Sequence, residues 1–493
     1  MTQTRWSPAQ RAGFLGGAAL FVLLLALPAP GDLSDPAWRA AAVGLLMATW
    51  WMTEAIPIPA TALLPLVLFP ALGVLSMSAA AAPFANPLIF LFLGGFLLAL
   101  AMERWNLHRR IALAIMDAVG TGPRMLVLGF MLASAFLSMW ISNTATAAMM
   151  LPIGLAVVTL LRPADLEPPP AGRFNFGIAL MLGIAYGASI GGVATLIGTP
   201  PNAILAAAAD EILGVRIGFL EWMKVGLPLA AVFLPLTWVL LTVVLFPPGS
   251  LPGDAGGIIR AQRSALGPMR RGERTVAAIF ALTVFGWLFR EEKSLGPVTI
   301  PGLERWFPEM GDATIAMVGG LLLFLVPVDW KRGTFPLAWS DTTRLPWGIL
   351  VLFGGGLSLA RALEETGLAA WIGVGVSGLG TLPVLALVAV VARVFVFLTE
   401  LTSNTATATM AMPILAGAGL ALGVDPILLM STAATSASTA PAPPVATPPN
   451  AIVFASDDVT IPRMARAGLV LNFVSIGLVS LLGSWLVTHL LLG

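Results

Sequence analysis

The sequence predicts an all-α polytopic membrane protein with about 11 transmembrane helices plus two re-entrant hairpins, arranged in inverted repeats. Of its 493 residues, 58% are hydrophobic and only 10% are charged, and the mean hydropathy is +0.91. Soluble domains carry about 25% charged residues. Two polar motifs set in apolar sequence also occur twice along the chain, which indicates an internal duplication. Composition therefore predicts the class of protein, and the duplication predicts its internal arrangement.

The duplicated motifs define the two halves of the chain. Ser142–Ile153 and Ser403–Ile414 are identical at nine of twelve positions, and both begin Ser-Asn-Thr-Ala-Thr. Gly198–Ile204 and Ala446–Ile452 match at six of seven positions and share Thr-Pro-Pro-Asn-Ala-Ile. Polar interruptions at corresponding places in two apolar halves are the best sequence pointer to the binding site of a membrane transporter.

The N-terminal part, residues 1–39, is predicted to hold one span, and the first repeat covers residues 40–246. The predicted elements of these two parts are, in order, spans near Gly13–Pro30, Ala40–Ile56, Thr61–Leu75 and Leu88–Met102, an interfacial helix at Ile111–Val119, a hairpin over residues 124–161, a helix over residues 176–210 broken at Gly198–Asn202, and a span near Val225–Leu245. Residues 124–161 are too long for one span of about 20 residues and have a polar centre. Unpaired backbone cannot face lipid, so we expect a re-entrant hairpin with its tip at Ser142–Thr144.

The second half is predicted to repeat this order. Residues 247–274 are polar and form a cytoplasmic linker, with an ordinary loop at residues 254–257. The second repeat covers residues 275–493. Its predicted elements are spans near Thr275–Phe289, Ala313–Val328 and Gly348–Leu363, an amphipathic stretch at Glu364–Val376, a hairpin over residues 382–422, a helix over residues 425–456 broken at Ala446–Asn450, and a last span near Gly468–Leu491.

The distribution of basic residues predicts the orientation in the membrane. Most of the 26 Lys and Arg residues fall on one side of this topology. Basic loops stay in the cytoplasm, so we expect the N-terminus inside and the C-terminus outside the cell inner (plasma) membrane. The two hairpins then enter from opposite sides, and both tips lie near the midplane.

The tips offer hydroxyls, side-chain amides and backbone groups freed from the helical ladder. The amide donors at a helix start suit an anionic oxygen, and Ser, Thr and Asn oxygens can hold a hard cation such as Na⁺. Two such tips suit an anion with two carboxylates. An intramembrane serine hydrolase needs a base beside its nucleophile, and neither His108 nor His489 lies near a motif, so no enzyme is expected. The net charge of +1 argues against a nucleic-acid partner, and the chain has no cysteine.

Two charged residues fall inside the second hairpin. Arg393 and Glu400 are seven positions apart, and we expect them to form a structural ion pair, since the matching positions of the first hairpin are the neutral Leu132 and Met139.

The paired Ser-Asn-Thr motifs and Thr-Pro-Pro-Asn loops resemble those of the divalent-anion/sodium symporter family, and in particular its bacterial dicarboxylate transporters. The resemblance covers nearly the whole chain from about Glu54. It implies a scaffold domain, a transport domain that moves as an elevator, and a homodimer formed through the scaffold. One departure is the segment Pro441-Ala442-Pro443-Pro444, where the family has a phenylalanine three residues ahead of a proline.

The resemblance also implies the roles of individual residues. The substrate-binding residues are expected to be Ser142, Asn143, Thr144, Thr199, Pro200, Ser403, Asn404, Thr405, Thr447 and Pro448. The sodium ligands are expected to be Ser138, Ser142, Asn143, Gly198, Thr399, Ser403, Asn404 and Ala446. The expected function is sodium-coupled symport of C4-dicarboxylates such as succinate, malate and fumarate. The alternatives are a sodium-independent dicarboxylate exchanger and a sodium-coupled citrate or sulfate transporter.

Overall fold

The computed structural model describes residues 6–162, 173–249, 255–295, 298–444, 446–456 and 458–492. Nearly all of the regular structure in these segments is helical, as predicted. The exception is a two-stranded antiparallel hairpin, which pairs β1 (Lys293–Leu295) with β2 (Val298–Ile300).

The first half of the chain consists of twelve α-helices in its described residues. They are α1 (Pro8–Ala26), α2 (Asp35–Thr53), α3 (Ile58–Thr61), α4 (Leu64–Ala71), α5 (Met77–Ala81), α6 (Pro87–Arg104), α7 (Leu107–Val119), α8 (Pro123–Ser138), α9 (Asn143–Leu161), α10 (Asn175–Val193), α11 (Pro200–Leu213) and α12 (Phe219–Val239), which continues as a π-helix over Leu240–Leu245. The predicted span at Thr61–Leu75 corresponds to the apolar helical stretch Ile58–Ala71. It is divided between α3 and α4, because Pro65, in the first turn of α4, has no amide hydrogen to donate to a continuous ladder.

The second half has eleven α-helices in its described residues. They are α13 (Ala255–Ala265), α14 (Arg271–Leu288), α15 (Asp312–Leu325), α16 (Trp347–Glu365), α17 (Leu368–Val376), α18 (Val384–Thr399), α19 (Asn404–Leu422), α20 (Pro426–Ala437), α21 (Pro448–Phe454), α22 (Ile461–Leu478) and α23 (Ser484–Leu486); π-helical turns at Val479–Gly483 and Val487–Leu491 make α22 and α23 one continuous rod.

Two predictions for the second half are wrong. Residues 255–257, expected in a loop, begin helix α13; residue 254 lies outside the described residues. The amphipathic stretch does not begin at Glu364, because Glu364 and Glu365 still belong to α16. Gly367, with a φ of 77°, ends that helix, and α17 starts only at Leu368.

Among the described residues, eight helices are long and apolar enough to cross a membrane, and they include α1, α9, α10 and α19. Further apolar helices of 10 to 17 residues include both first arms of the predicted hairpins, α8 and α18. The chain is therefore a polytopic membrane protein. The count of eleven spans and the inverted relation of the two halves stay predictions.

Helix α10 lies at the centre of the first half, and every residue from Phe176 to Val193 is buried. It packs closely on α8 through glycines at four-residue spacing. A Cβ at Gly187 would lie 2.8 Å from the carbonyl oxygen of Met131, and one at Gly191 would lie 2.1 Å from that of Ala135. Small residues in one stripe let two membrane helices approach at backbone contact. This stripe holds the first hairpin against the first broken helix.

The buried side chains divide into a large and a small hydrophobic cluster. The large one extends from α6 through both hairpins and both broken helices. The small one joins α2 and α4 to α16 and α17 through residues such as Trp51, Phe69 and Leu359. The small cluster also contains Ala406 of the second duplicated motif, so it joins the N-terminal helices to the second hairpin as well as to α16 and α17.

Candidate functional site

Both predicted hairpins are present as two helices joined by a short turn, and the turns carry the Ser-Asn-Thr motifs. Ser142 caps α9, and its Oγ accepts a hydrogen bond from the amide of Ala145 at 3.2 Å. Ser138, at the end of α8, donates its hydroxyl to Oδ1 of Asn143 at 2.5 Å. Thr399 donates in the same way to Oδ1 of Asn404 at 2.8 Å. The duplicated motif therefore makes the same contact in both halves.

The first tip lies against the first chain break, where several oxygen atoms converge. A Cβ at Gly198 would lie 2.5 Å from the carbonyl oxygen of Gly192 and 2.9 Å from that of Ser138. A Cβ at Gly192 would lie 2.6 Å from Oδ1 of Asn143 and 3.1 Å from the carbonyl oxygen of Gly198. Two glycines thus leave a space lined by carbonyl, amide and hydroxyl oxygens. A hard monovalent cation takes such ligands, so these residues fit Na⁺.

The second tip has a related arrangement. The hydroxyl of Thr399, besides its bond to Asn404, donates to the carbonyl oxygen of Ala437 at 3.1 Å. Ala440 and Ala446 stand where the first half has Gly192 and Gly198. The buried Thr399 hydroxyl, the Asn404 amide oxygen and the Ala437 carbonyl again supply only neutral oxygen ligands.

Both chain breaks are present, but their predicted positions, Gly198–Asn202 and Ala446–Asn450, are wrong in both halves, because each break lies earlier in the chain. Pro200 and Pro201 do not interrupt a helix; they occupy the first turn of α11, and the non-helical residues are 194–199. The physical reason is that a helix start needs no amide donor in its first turn, so proline is favoured there. In the second half Pro448 likewise begins α21, after a non-helical segment that starts at Ser438.

Asn202 and Asn450 are the residues that sequence reasoning missed. Each is fully buried and donates its side-chain amide across its own break. Asn202 contacts the carbonyl oxygens of Gly192, Val193 and Thr195, and Asn450 contacts those of Ala440 and Pro443. The signal was available, because both asparagines belong to the repeated Thr-Pro-Pro-Asn motif.

The tips are tied to the breaks by different groups in the two halves. In the first half the Thr195 hydroxyl donates to the carbonyl oxygen of Met139 at 2.6 Å. In the second half the carboxylate of Glu400 accepts from the amide of Ala442 at 3.1 Å and from Nδ2 of Asn472 at 2.7 Å. The predicted Glu400–Arg393 ion pair is wrong: Arg393 is exposed and makes no ion pair with this carboxylate. The buried Glu400 instead takes donors from the second break and from α22.

One cavity of about 900 Å³ brings both tips and both breaks together. The predicted residues that line it are Ser142, Asn143, Thr144, Gly198, Thr199, Pro200, Ser403, Asn404, Thr405, Ala446, Thr447 and Pro448. Ser138 and Thr399 are fully buried behind the tips. The cavity extends to the end of the molecule where α1 starts and α2 ends, since Ser7, Gln10 and Glu54 also line it.

The lining of this cavity carries no positively charged side chain among the described residues. It includes no Lys, Arg or His among the described residues, and Glu54 is its one ionisable group there. Phe92, Phe96 and Ile349 supply an apolar wall that sequence reasoning did not predict. Any anion held here is held by hydroxyls, amides and helix starts rather than by basic side chains.

Sequence comparison identifies the family. A model described as the sodium:sulfate symporter transmembrane region matches residues 11–492. The chain belongs to the sodium:sulfate symporter family. Similar curated proteins include the sodium-dependent dicarboxylate transporter SdcS of Staphylococcus saprophyticus, 44% identical over 98% of this chain and 92% of that protein. Another is SdcS of Staphylococcus aureus, 41% identical over 95% of this chain and 90% of that protein. The resemblance seen in the motifs is thereby confirmed.

Solved structures support the fold of this chain at low sequence identity. The YdaH transporter of Alcanivorax borkumensis is 15% identical, covers 92% of this chain and 98% of its own, and gives a TM-score of 0.55. MtrF of Neisseria gonorrhoeae, described as one of a class of antimetabolite efflux pumps, is 12% identical. It covers 91% of this chain and 95% of its own, and it gives a TM-score of 0.56. Both comparisons concern the fold alone.

Proposed function

We propose that the protein is a secondary active transporter that couples sodium entry to the uptake of a C4-dicarboxylate such as succinate, malate or fumarate. The observation that carries the proposal is that both Ser-Asn-Thr tips and both Thr-Pro-Pro loops line one cavity without a basic side chain. It is therefore a transporter rather than an enzyme. The relatives named as sodium-dependent dicarboxylate transporters are 41–44% identical, which supports the same substrate class here.

The charge of the ligand explains why sodium is required. A dianion in a site with little water needs compensating positive charge, because charges interact strongly at low dielectric. Helix starts at Asn143 and Asn404 supply partial positive charge and free amide donors. Two sodium ions, one behind each tip, supply the rest. The first is held by Ser138, Ser142, Asn143 and Gly198, and the second by Thr399, Ser403, Asn404 and Ala446.

Each tip then binds one end of the substrate. Ser142, Asn143 and Thr144 with Thr199 and Pro200 face one carboxylate. Ser403, Asn404 and Thr405 with Thr447 and Pro448 face the other. Each asparagine turns its oxygen toward the cation and its nitrogen toward the anion, so the sodium and substrate sites share a residue. This sharing couples the two binding events.

We further propose that the two halves, residues 40–246 and 275–493, are inverted repeats joined by a cytoplasmic linker. The N-terminus is cytoplasmic and the C-terminus is external. The hairpins and broken helices form a transport domain that moves as an elevator against a scaffold, which also forms the homodimer. The hydrophobic cluster that joins α2 and α4 to α16 and α17 supports a scaffold built from these helices, with Ala406 of the second hairpin packed against it.

The alternatives make different demands on the same site. A sodium-independent exchanger is favoured by a basic side chain in place of a sodium ligand, and Ser138, Gly198, Thr399 and Ala446 are all neutral. Citrate carries a third carboxylate, and sulfate has no pair of carboxylates to offer to the two tips. The two matching tips favour the four-carbon dicarboxylate.

The test is uptake of labelled succinate into proteoliposomes with an inward gradient of sodium or of choline. We expect accumulation only with sodium. Malate and fumarate should compete with succinate, whereas sulfate at the same concentration should not. Uptake that is equally fast in choline contradicts sodium coupling. Stronger competition by citrate or sulfate than by malate contradicts the substrate class.

A further inference from the structure

The start of α14 carries a cluster of arginines at the point where the chain enters the membrane. Arg270, Arg271 and Arg274 lie close together in sequence, and all three are exposed. The rest of the helix is mostly apolar, and Leu282 and Phe285 on it are 57% and 52% exposed, as expected for side chains that contact lipid. The three arginines therefore lie at the boundary between lipid and water.

These three arginines have no acidic partner among the described residues. None of the ion pairs there includes any of them. The one acidic residue between positions 255 and 276 is Glu273, which is buried, and its carboxylate is held by Arg110, whose Nη2 donates to Oε2 at 3.1 Å. Glu273 is thus already neutralised, and the positive charge of the cluster is left uncompensated.

The place of the cluster in its helix is unfavourable without an anion nearby. Arg270 is the N-cap residue of α14 and Arg271 is its first residue, with Arg274 one turn further on. A helix start carries partial positive charge, so it repels basic side chains and favours acidic ones. The bias of basic residues toward one side of a membrane explains which side these arginines are on, but not why they gather at a helix start. A bound anion removes the repulsion.

Neighbouring elements hold the backbone of the cluster in place. Gly272 is buried against the ring of Trp105, and a Cβ at this position would lie 2.2 Å from two of its ring carbons. The ring nitrogen of Trp105 donates to the carbonyl oxygen of Pro336 at 2.9 Å, and Nη1 of Arg110 donates to that of Gly267 at 3.0 Å. Tryptophan is enriched at the membrane–water interface. The arginines are therefore presented at that depth from a fixed turn.

We propose that Arg270, Arg271 and Arg274 form a binding surface for the phosphate groups of anionic membrane lipids. The inference goes beyond the proposed function and does not depend on it. An arginine can lay its apolar stem along lipid while its guanidinium group binds a phosphate through two parallel hydrogen bonds. Basic clusters beside a membrane helix are typical of anionic-lipid recognition. A lipid bound here attaches the start of the second half of the chain to the bilayer surface.

The test compares two lipids with the same acyl chains, anionic phosphatidylglycerol and zwitterionic phosphatidylcholine, added to the purified full chain in detergent. Native mass spectrometry measures the bound lipid, and the melting temperature reports stabilisation. For the natural chain we expect preferential binding of phosphatidylglycerol and a melting temperature several degrees higher with it than with phosphatidylcholine. Each basic residue at a membrane surface strengthens binding to anionic lipid about fivefold. The combined variant Arg270→Gln, Arg271→Gln and Arg274→Gln should therefore bind phosphatidylglycerol roughly a hundredfold more weakly.

Single variants serve if the combined variant does not fold. Arg271→Gln should weaken phosphatidylglycerol binding about fivefold. Arg305→Gln is its matched control, because Arg305 is also exposed and has no described ion pair, but it follows the other end of α14. It should leave the lipid preference unchanged.

Three results overturn the lipid surface. One is a folded combined variant that binds phosphatidylglycerol like the natural chain. Another is an equal loss in Arg305→Gln, since the preference then reflects net charge alone. The third is equal stabilisation of the natural chain by inorganic phosphate, since a free anion then occupies the cluster. Succinate uptake enters none of these measurements, so their failure does not bear on the proposed function.

Discussion

Asn202 and Asn450 bridge the two chain breaks with the same pair of contacts. Each donates its side-chain amide to the carbonyl oxygens ten and seven residues earlier. These acceptors are Gly192 and Thr195 for Asn202, at 3.3 and 2.8 Å, and Ala440 and Pro443 for Asn450, at 3.3 and 3.1 Å. The breaks free these carbonyls from the helical ladder, and buried carbonyls need partners. The duplication has therefore preserved a contact within each break as well as a sequence.

Removing either bridge is expected to destabilise the protein. Asn202→Ala and Asn450→Ala leave buried carbonyl oxygens without a donor, at a cost of about 1–3 kcal/mol for each unsatisfied group. The melting temperature in detergent should fall for both variants. Asn175→Ala is the control, since Asn175 makes one exposed contact, to the Pro247 carbonyl oxygen. A melting temperature unchanged in both variants would show that the bridges do not fix the breaks.

The asparagines of the two tips are expected to affect sodium and substrate together. Asn143→Ala and Asn404→Ala each lose a hydrogen bond to a charged group, which costs about 1.5–3 kcal/mol and lowers apparent affinity roughly tenfold or more. Thermal stabilisation by sodium and by succinate measures both effects in detergent. If Asn143→Ala abolishes both responses while Asn404→Ala leaves both intact, the two-tip site is wrong.

Aspartate at the same positions separates the two ligands. Asn143→Asp and Asn404→Asp keep an oxygen for the cation but place a negative charge beside the dicarboxylate. We expect sodium stabilisation to be retained or increased and succinate stabilisation to be lost. Equal loss of both responses would indicate that these variants disturb the tip itself rather than its charge.

The opposite orientation of the hairpins can be tested with single cysteines, because the chain has none of its own. Thr121→Cys lies in the exposed turn before α8, and Asp425→Cys lies in the exposed turn after α19. Arg162 is less suitable, since it is paired with Asp458 at 2.5 Å. We expect an impermeant thiol reagent to label Asp425→Cys from outside whole cells and Thr121→Cys only in inverted membranes. Labelling of both from one face contradicts the inverted repeats.

The close contact of α8 and α10 predicts a strong effect of one added methyl group. In Gly191→Ala the new Cβ would lie 2.1 Å from the carbonyl oxygen of Ala135, so the two helices must separate. We expect a melting temperature several degrees lower. Gly122→Ala is the control, because nothing lies within 4 Å of its Cβ and its φ is −63°. Equal stability of the two variants would contradict backbone contact between these helices.

The order of elements followed from local sequence, whereas the contacts between them did not. Polar residues in the middle of an over-long apolar stretch were enough to predict both hairpins and the turns at Ser142 and Ser403. Pro200 and Pro201 were harder to interpret, because proline is excluded from a helix interior but favoured at its start. The partners of Glu400 could not be foreseen, since Ala442 and Asn472 lie 42 and 72 residues away and Arg393 was nearer in sequence.

The mouth of the large cavity gives a route to inhibitors that do not resemble the substrate. Its border includes Gln10 and Glu54, where the Gln10 amide donates to the Glu54 carbonyl oxygen at 3.2 Å, and neither residue belongs to a duplicated motif. A rigid molecule that binds between this border and the tips would hold the protein in one conformation, and it would not need to carry a carboxylate. Resistance could then arise at the border without loss of growth on the nutrient, so such compounds need a second contact at Asn143 or Asn404.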